Sequence, residues 1–242
     1  MEEKIRIEKM VIAGPCSIES LEQAMDTAKY LKSLGVKNFR GGAFKPRTSP
    51  DSFQGLGHEA LEILKAVKKE TGLITSTEVM DGKDLKAVYD AVDIIQIGSR
   101  NMHNYTLLQT VGAQDKPIIL KRGMSATMEE WIKASEYIRR EGNENIIMCE
   151  RGIRTFDTYT RNTMDIAAIP IIKNETGLRV IADPSHGTGR KELILPMSRA
   201  ALAAGADGIM VEIHPNPKEA LSDGEQSLTF EEFSEIYQEI KN

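Results

Sequence analysis

Eight short apolar runs recur along the chain, separated by stretches with helical spacing. They cover residues 10–18, 38–44, 73–79, 93–99, 117–123, 145–151, 179–186 and 208–215. Most are apolar throughout rather than alternating, the pattern of strands buried on both faces. Between them, Ser20 can cap a helix with Leu21, Ala24, Met25, Ala28 and Leu31 on one face, closing at Gly35. Leu61, Leu64, Ala66 and Val67 mark a second helix, ending at Gly72. Thr127 with Glu130 forms a capping box before Trp131, Ala134 and Ile138. Leu195 and Ala200 to Ala203 run into Gly205. Thr229 starts a last helix with Phe230, Phe233, Ile236, Tyr237 and Ile240 facing in.

Eight such βα units in succession predict an α/β fold, a single (β/α)8 TIM barrel. A doubly wound open sheet is the alternative, and it fits less well because no G-x-G-x-x-G follows the first strand. No repeat of fixed short period is visible beyond the βα alternation, and no low-complexity linker divides the chain. Residues 1–242 are therefore expected to be one catalytic barrel, with 1–9 a short leading strand and no regulatory domain. The length of 242 residues suits this, since such barrels run to about 250.

Composition narrows the class. A net charge of -5 argues against a general nucleic-acid binder, though not against a phosphorylated substrate, because the local field matters more than the total. Two cysteines, Cys16 and Cys149, allow no disulfide framework beyond one bridge and point to a reducing compartment. No signal-like or membrane-spanning run is present, so a cytoplasmic enzyme without membrane contact is expected.

In a barrel of this kind the reactive groups gather where strands end. Those places hold Cys16, Arg40 with Lys45 and Arg47, Glu78, Arg100, Lys121 with Arg122, Arg151, His186, and Glu212 with Asp223. Charged groups on one enclosed rim are costly without counter-charges or ligands. Cys16, His186, Glu212 and Asp223 offer a mixed sulfur, nitrogen and oxygen set that suits a divalent first-row transition metal. Alone, Cys16 reads as an inert buried thiol, His186 equally as a hydrogen-bonded histidine, and Asp223 as a turn residue. Glu212 differs, because an unpaired carboxylate in Ile209-Met210-Val211-Glu212-Ile213 would be costly.

The cations Arg40, Lys45, Arg47, Arg100, Lys121, Arg122 and Arg151 would repel one another at one mouth without anionic ligands, so more than one phosphate or carboxylate is expected. Solvated surface charge is a fair reading of Arg122, Arg154 and Arg161 individually. It is a poor one for Arg100 and Lys121, which end apolar runs. Lys45-Pro46-Arg47-Thr48 is a stiff loop in which Arg47 and the Thr48 hydroxyl can grip a phosphate.

The segments AGPCSIES, FRGGAFKPRTSP, STEVMD, QIGSRNMHN, LKRGMSAT, CERGIRTFD, ADPSHGTGR, VEIHPNP and ALSDGEQSL, in this order, carry a family resemblance. The chain resembles 3-deoxy-D-arabino-heptulosonate 7-phosphate (DAHP) synthases of the short type related to 3-deoxy-manno-octulosonate 8-phosphate synthase. The resemblance implies condensation of phosphoenolpyruvate with erythrose 4-phosphate, the first step of the shikimate pathway. It implies one divalent metal, manganese, with iron, cobalt or zinc as alternatives, held by Cys16, His186, Glu212 and Asp223. It assigns Arg40, Lys45, Arg100, Lys121 and Arg151 to phosphoenolpyruvate, Pro46, Arg47 and Thr48 to erythrose 4-phosphate, and catalytic parts to Lys45, Glu78, Cys16 and His186. It also implies a homo-oligomer, dimer or tetramer. The octulosonate enzymes, which take arabinose 5-phosphate, carry Lys-Ala-Asn-Arg-Ser where this chain has Lys-Pro-Arg-Thr-Ser, which favours the four-carbon aldose. The octulosonate activity is the alternative on the same scaffold, and a non-catalytic binding barrel is the alternative from another class.

Overall fold

Every strand pairs in parallel with its sequence neighbours, and the eighth pairs with the first, closing a barrel in the order β1 to β8. The computed structural model describes residues 9–47 and 49–241. The elements are β1 (Met10–Gly14), α1 (Leu21–Ser33), β2 (Asn38–Arg40), α2 (His58–Thr71), β3 (Ile74–Glu78), α3 (Leu85–Ala91), β4 (Ile94–Ile97) and α4 (Tyr105–Gly112). They continue with β5 (Ile118–Lys121), α5 (Met128–Arg139), β6 (Ile146–Glu150), α6 (Ala168–Thr176), β7 (Arg179–Ala182), α7 (Pro184–Thr188), α8 (Ile194–Ala203), β8 (Gly208–Glu212) and α9 (Phe230–Ile240).

The unbroken apolarity of the strands has a two-sided cause. Inward residues Ile12, Ile94, Ile119, Ile147, Cys149, Ile181 and Met210 fill the barrel. Outward ones such as Val11, Ala13, Ile95, Leu120, Met148 and Val211 pack under the helices. Each buried large apolar side chain contributes about 1.5–3 kcal/mol. Cys149 is a packing residue of this interior.

All eight apolar runs contain a strand, but the strands end one to four residues earlier than the runs. The chain stays buried past the last ladder bond because it bends over the rim, as at Pro15–Ile18, where every residue is buried. The largest correction falls after β7. Residues 183–186 leave the sheet at Asp183, whose side chain caps the short helix α7 by accepting from the His186 N–H, with Pro184 in the first turn. His186 therefore comes from a helix rather than a strand end.

The capping boxes at Thr127 and Thr229 and the cap at Ser20 form as expected. Leu21, read on the apolar face of its helix, is exposed. Helices α3, α4 and α6 were not individually resolved by spacing. The expected leading strand lies outside the described residues but for Lys9, which is not in a strand.

A short repeat also escaped the sequence reading. Glu70-Thr71-Gly72-Leu73 ends α2 and Glu175-Thr176-Gly177-Leu178 ends α6. Lys68 and Lys173 reach Asp93 and Asp207 at 2.5 and 2.7 Å. Those aspartates also accept from the Thr75 and Val180 N–H groups, at 3.0 and 2.8 Å. Two opposite quarters of the barrel floor are thus tied by the same Lys–Asp–strand device.

Candidate active site

The loops at the C-terminal ends of the strands enclose a cavity of about 370 Å³. Arg40, Lys45, Glu78, Lys121, Arg151 and His186 line it. Pro46, Arg47, Arg100, Arg161 and Asp223 are also in its walls. Thr48 lies outside the described residues.

At one side of the cavity, Cys16, His186, Glu212 and Asp223 each bring one donor atom to a common point, all four within 4.8 Å of one another. Donors bonded at about 2.0–2.3 Å to one ion lie at most about 4.6 Å apart, so a slight contraction of the four would seat them on a shared ion. Segments far apart in the chain supply them: the loop after β1, helix α7, the end of β8 and the loop before α9. The site is strongly polar in a dry setting. Glu212 is fully buried and Cys16 is 2 % exposed. Sγ of Cys16 lies 3.1 Å from Asp223 Oδ2 and accepts from Lys45 Nζ at 2.9 Å. Burial, then Glu212, pushes the Cys16 thiol well up, so it holds its proton and donates it to Asp223. Burial would raise Asp223, but His186 and Arg161 hold its carboxyl well below the usual range.

His186 is oriented from behind. Its Nδ1 lies 2.8 Å from Asp183 Oδ2, leaving Nε2 toward Glu212 Oε1 at 3.3 Å and Asp223 Oδ2 at 3.9 Å. A carboxylate behind the imidazole is the usual support of a metal-binding histidine. Asp183 is fully buried and also receives Lys121 Nζ at 2.5 Å. Its burial opposes ionisation, but His186 and Lys121 hold its pKa well below the usual range.

The cations divide into paired and unpaired. Arg40 Nη1 meets Glu212 Oε1 at 2.6 Å, yet its buried Nε has no hydrogen-bond partner. Arg151 is 4 % exposed and has no carboxylate within ion-pair distance among the described residues; its Nη1 donates to the Gly152 carbonyl at 3.3 Å. Arg100, by contrast with the expectation of a residue ending an apolar run, is exposed on a turn of 3-10 helix. Glu78 has a buried Oε1 without a partner, and burial pushes its pKa up. Its carboxylate lies over Gly98, where any Cβ would be 2.0 Å from Oε1. A buried guanidinium without a carboxylate and the orphaned Arg40 Nε donor, lining one cavity, are the features of an anion site.

Arg122 does not belong to this mouth. It is 3 % exposed, so the surface-charge reading fails too. Its guanidinium turns outward over the Trp131 ring, pairing with Glu150 at 3.0 Å and Asp165 at 2.8 Å. Arg161, also read as surface charge, is half exposed but bonded to Asp223 at 3.1 Å. Asp183, Arg161 and Gln226 were missed as site residues. Asp183 carried the same signal as Glu212, a carboxylate directly after an apolar strand. Arg161 and Gln226 carried none, since only folding brings them to their partners.

Fold and site together define a class: a (β/α)8 barrel with a cation-lined mouth beside a mixed thiol, imidazole and carboxylate cluster. The DAHP synthetase I family matches residues 6–242. The chain is 54% identical over 231 residues to phospho-2-dehydro-3-deoxyheptonate aldolase of Thermotoga maritima, covering 96% of this chain and 68% of that one. It is 33% identical over 249 residues to 2-dehydro-3-deoxyphosphooctonate aldolase of Legionella pneumophila, covering 96% and 90%. A crystal structure of the Thermotoga maritima DAHP synthase superposes with a TM-score of 0.93 at 52% identity, over 98% of this chain and 68% of that one. The chain belongs to the DAHP synthetase I family. Among the described residues no helix is long and apolar enough to cross a membrane.

Proposed function

We propose that this chain condenses phosphoenolpyruvate with D-erythrose 4-phosphate and water, giving 3-deoxy-D-arabino-heptulosonate 7-phosphate and phosphate, the step that opens the shikimate pathway to chorismate. Family membership carries the reaction. The observation that supports it in the molecule is the meeting of four metal-type donors with a cation-lined cavity in which Arg151 is buried without a carboxylate partner. Residues 1–242 act as one catalytic barrel.

Cys16, His186, Glu212 and Asp223 are the residues that would hold a divalent ion, and manganese, iron, cobalt or zinc suits that donor set. When bound, such an ion supplies Lewis-acid polarisation of an aldehyde. Arg151, Arg100, Arg40, Lys45 and Lys121 hold the phosphate and carboxylate of phosphoenolpyruvate. Arg47, with Pro46 stiffening its loop and Thr48 beside it, receives the phosphate of the aldose. Fixing two anions side by side removes much of the entropic barrier to their reaction. A carbon–carbon bond forms between the phosphoenolpyruvate methylene and the aldehyde carbon. Water adds to the former enol carbon, and phosphate leaves by C–O cleavage. Lys45, its ammonium 2.9 Å from Cys16 Sγ, and Glu78, whose burial favours its protonated form, are the groups placed to move protons.

The test is phosphate release from phosphoenolpyruvate with each aldose. Release with erythrose 4-phosphate and little with arabinose 5-phosphate is expected, and it should vanish on chelation and return with Mn2+. Preference for arabinose 5-phosphate would favour the octulosonate reaction instead. Full activity in metal-free protein would remove the metal from the scheme.

A further inference from the structure

A carboxylate that gives one oxygen to an ion must satisfy its other oxygen elsewhere, and that partner sets the direction of the first. Here the two outward oxygens are tied to each other. Asp223 Oδ1 accepts from Arg161 Nη1 at 3.1 Å. Glu212 Oε2 accepts from Gln226 Nε2 at 2.6 Å. The same Arg161 Nη1 donates to Gln226 Oε1 at 3.1 Å, which closes a relay from one carboxylate to the other. Gln226 is 3 % exposed and uses both ends of its amide in this relay. The inward oxygens face His186 Nε2: Glu212 Oε1, which also accepts from Arg40 Nη1 at 2.6 Å, and Asp223 Oδ2, which also accepts from the Cys16 thiol at 3.1 Å.

The loop between β6 and α6 is built to deliver this contact. The Arg161 N–H donates to the Thr188 carbonyl at 2.8 Å, just after helix α7. Gly189, with φ of +69°, leaves the space that the arginine stem fills; a Cβ there would lie 2.7 Å from Arg161 Cβ. The next residue, Asn162, donates from Nδ2 to the His186 carbonyl at 2.9 Å. Two consecutive residues of one loop thus brace the segments carrying Asp223 and His186 directly, and Glu212 through Gln226. Arg161 also lines the cavity, so the brace stands at the boundary of ion and substrate.

We propose that Arg161 and Gln226 are positioning residues that aim Glu212 Oε1 and Asp223 Oδ2 at one divalent ion and thereby set its affinity. This rests on the reading of the four donors as a metal site. A mere loop anchor would act through the stability of the metal-free fold, whereas an aiming device acts on ion binding. Arg161→Met keeps the stem that packs on Gly189 and removes only the guanidinium, so the two effects separate there.

The experiment is titration of the chelator-stripped full chain with Mn2+ and Co2+, alongside melting of the metal-free protein. Arg161→Met and Gln226→Met should each weaken Mn2+ binding by roughly 10–100-fold. Both should also shift the Co2+ absorption spectrum. Their combination should cost little more than either alone, because they cut one relay. Arg161→Lys should recover part of the affinity, since an ammonium reaches Asp223 but lacks the fork. Metal-free Arg161→Met should melt within a few degrees of the parent. Parent-like Mn2+ affinity in Arg161→Met and Gln226→Met, or affinity that falls only in step with metal-free melting, would overturn the proposal. Failure of the parent to bind, or Cys16→Ala binding like the parent, would instead remove the metal reading itself.

Discussion

At the floor of the barrel, Asp93 and Asp207 each take one lysine and one strand N–H, and charge closes locally. At the mouth, Arg151 is buried without a carboxylate, Arg40 keeps an orphaned Nε, and Glu78 an orphaned Oε1. Charged side chains at strand ends are used at both ends of the barrel. Floor charges act on the fold; at the mouth, ion pairs such as Arg40–Glu212 and Lys121–Asp183 stand beside groups that no protein partner satisfies. The repeated Lys–Asp tie and the unrepeated mouth separate these roles within one chain.

The largest effect expected is at the mouth. Glu212→Gln should lower kcat/KM at least about 1000-fold by removing a metal ligand, a loss of several kcal/mol of transition-state stabilisation. Steady-state assays with saturating Mn2+ check this, and near-parent activity would place the ion elsewhere. Next comes the contrast between two arginines. Arg122→Met breaks a buried network with Glu150 and Asp165 and should cost about 3–5 kcal/mol of stability. Arg151→Met should instead leave denaturant stability unchanged or raised while KM for phosphoenolpyruvate climbs. If both variants behave alike, the division between structural and ligand-awaiting cations fails.

A smaller, sharper probe is Gly98→Ala. Its Cβ would occupy the place of the Glu78 carboxylate, so kcat should fall roughly 100-fold if Glu78 moves a proton. Melting should shift little, because the obstructed group is the tip of a side chain. An unaltered kcat would remove Glu78 from the chemistry.

The smallest effect belongs to the floor. Asp93→Asn should cost about 1–2 kcal/mol at neutral pH without changing activity. Burial would raise the Asp93 carboxyl, but Lys68 and the Thr75 N–H hold it below its ordinary value. That stabilisation is present above the unfolded carboxylate's value of about 3.9 and is lost as pH falls through the lower folded value. Chemical denaturation of parent and variant should therefore converge in acid and diverge above about pH 4.

What the sequence disclosed follows from the range of each interaction. The strands were readable because both faces are buried, so local apolarity alone marks Ile94–Ile97 or Ile146–Glu150. Helices α3 and α4 are short, and Pro170 interrupts the pattern of α6 within its first turn, so spacing was too brief to resolve them. Cys16, His186, Glu212 and Asp223 could be nominated because the topology sends all strand ends to one rim. Their convergence was not readable, since Cys16 and Asp223 are 207 positions apart. Arg122 and Arg151 look alike in sequence, each one residue past a strand end. Only side-chain direction, set by the pleat and the neighbouring carboxylates, sends one outward and leaves the other at the cavity.

A crystal soaked with Mn2+ and phosphoenolpyruvate tests the centre of this picture most directly. The anomalous signal should peak once at the mouth, within about 2.0–2.4 Å of Cys16 Sγ, His186 Nε2, Glu212 Oε1 and Asp223 Oδ2, with phosphoenolpyruvate against Arg151. An ion bound elsewhere, or a peak that omits the thiol and imidazole, would contradict it.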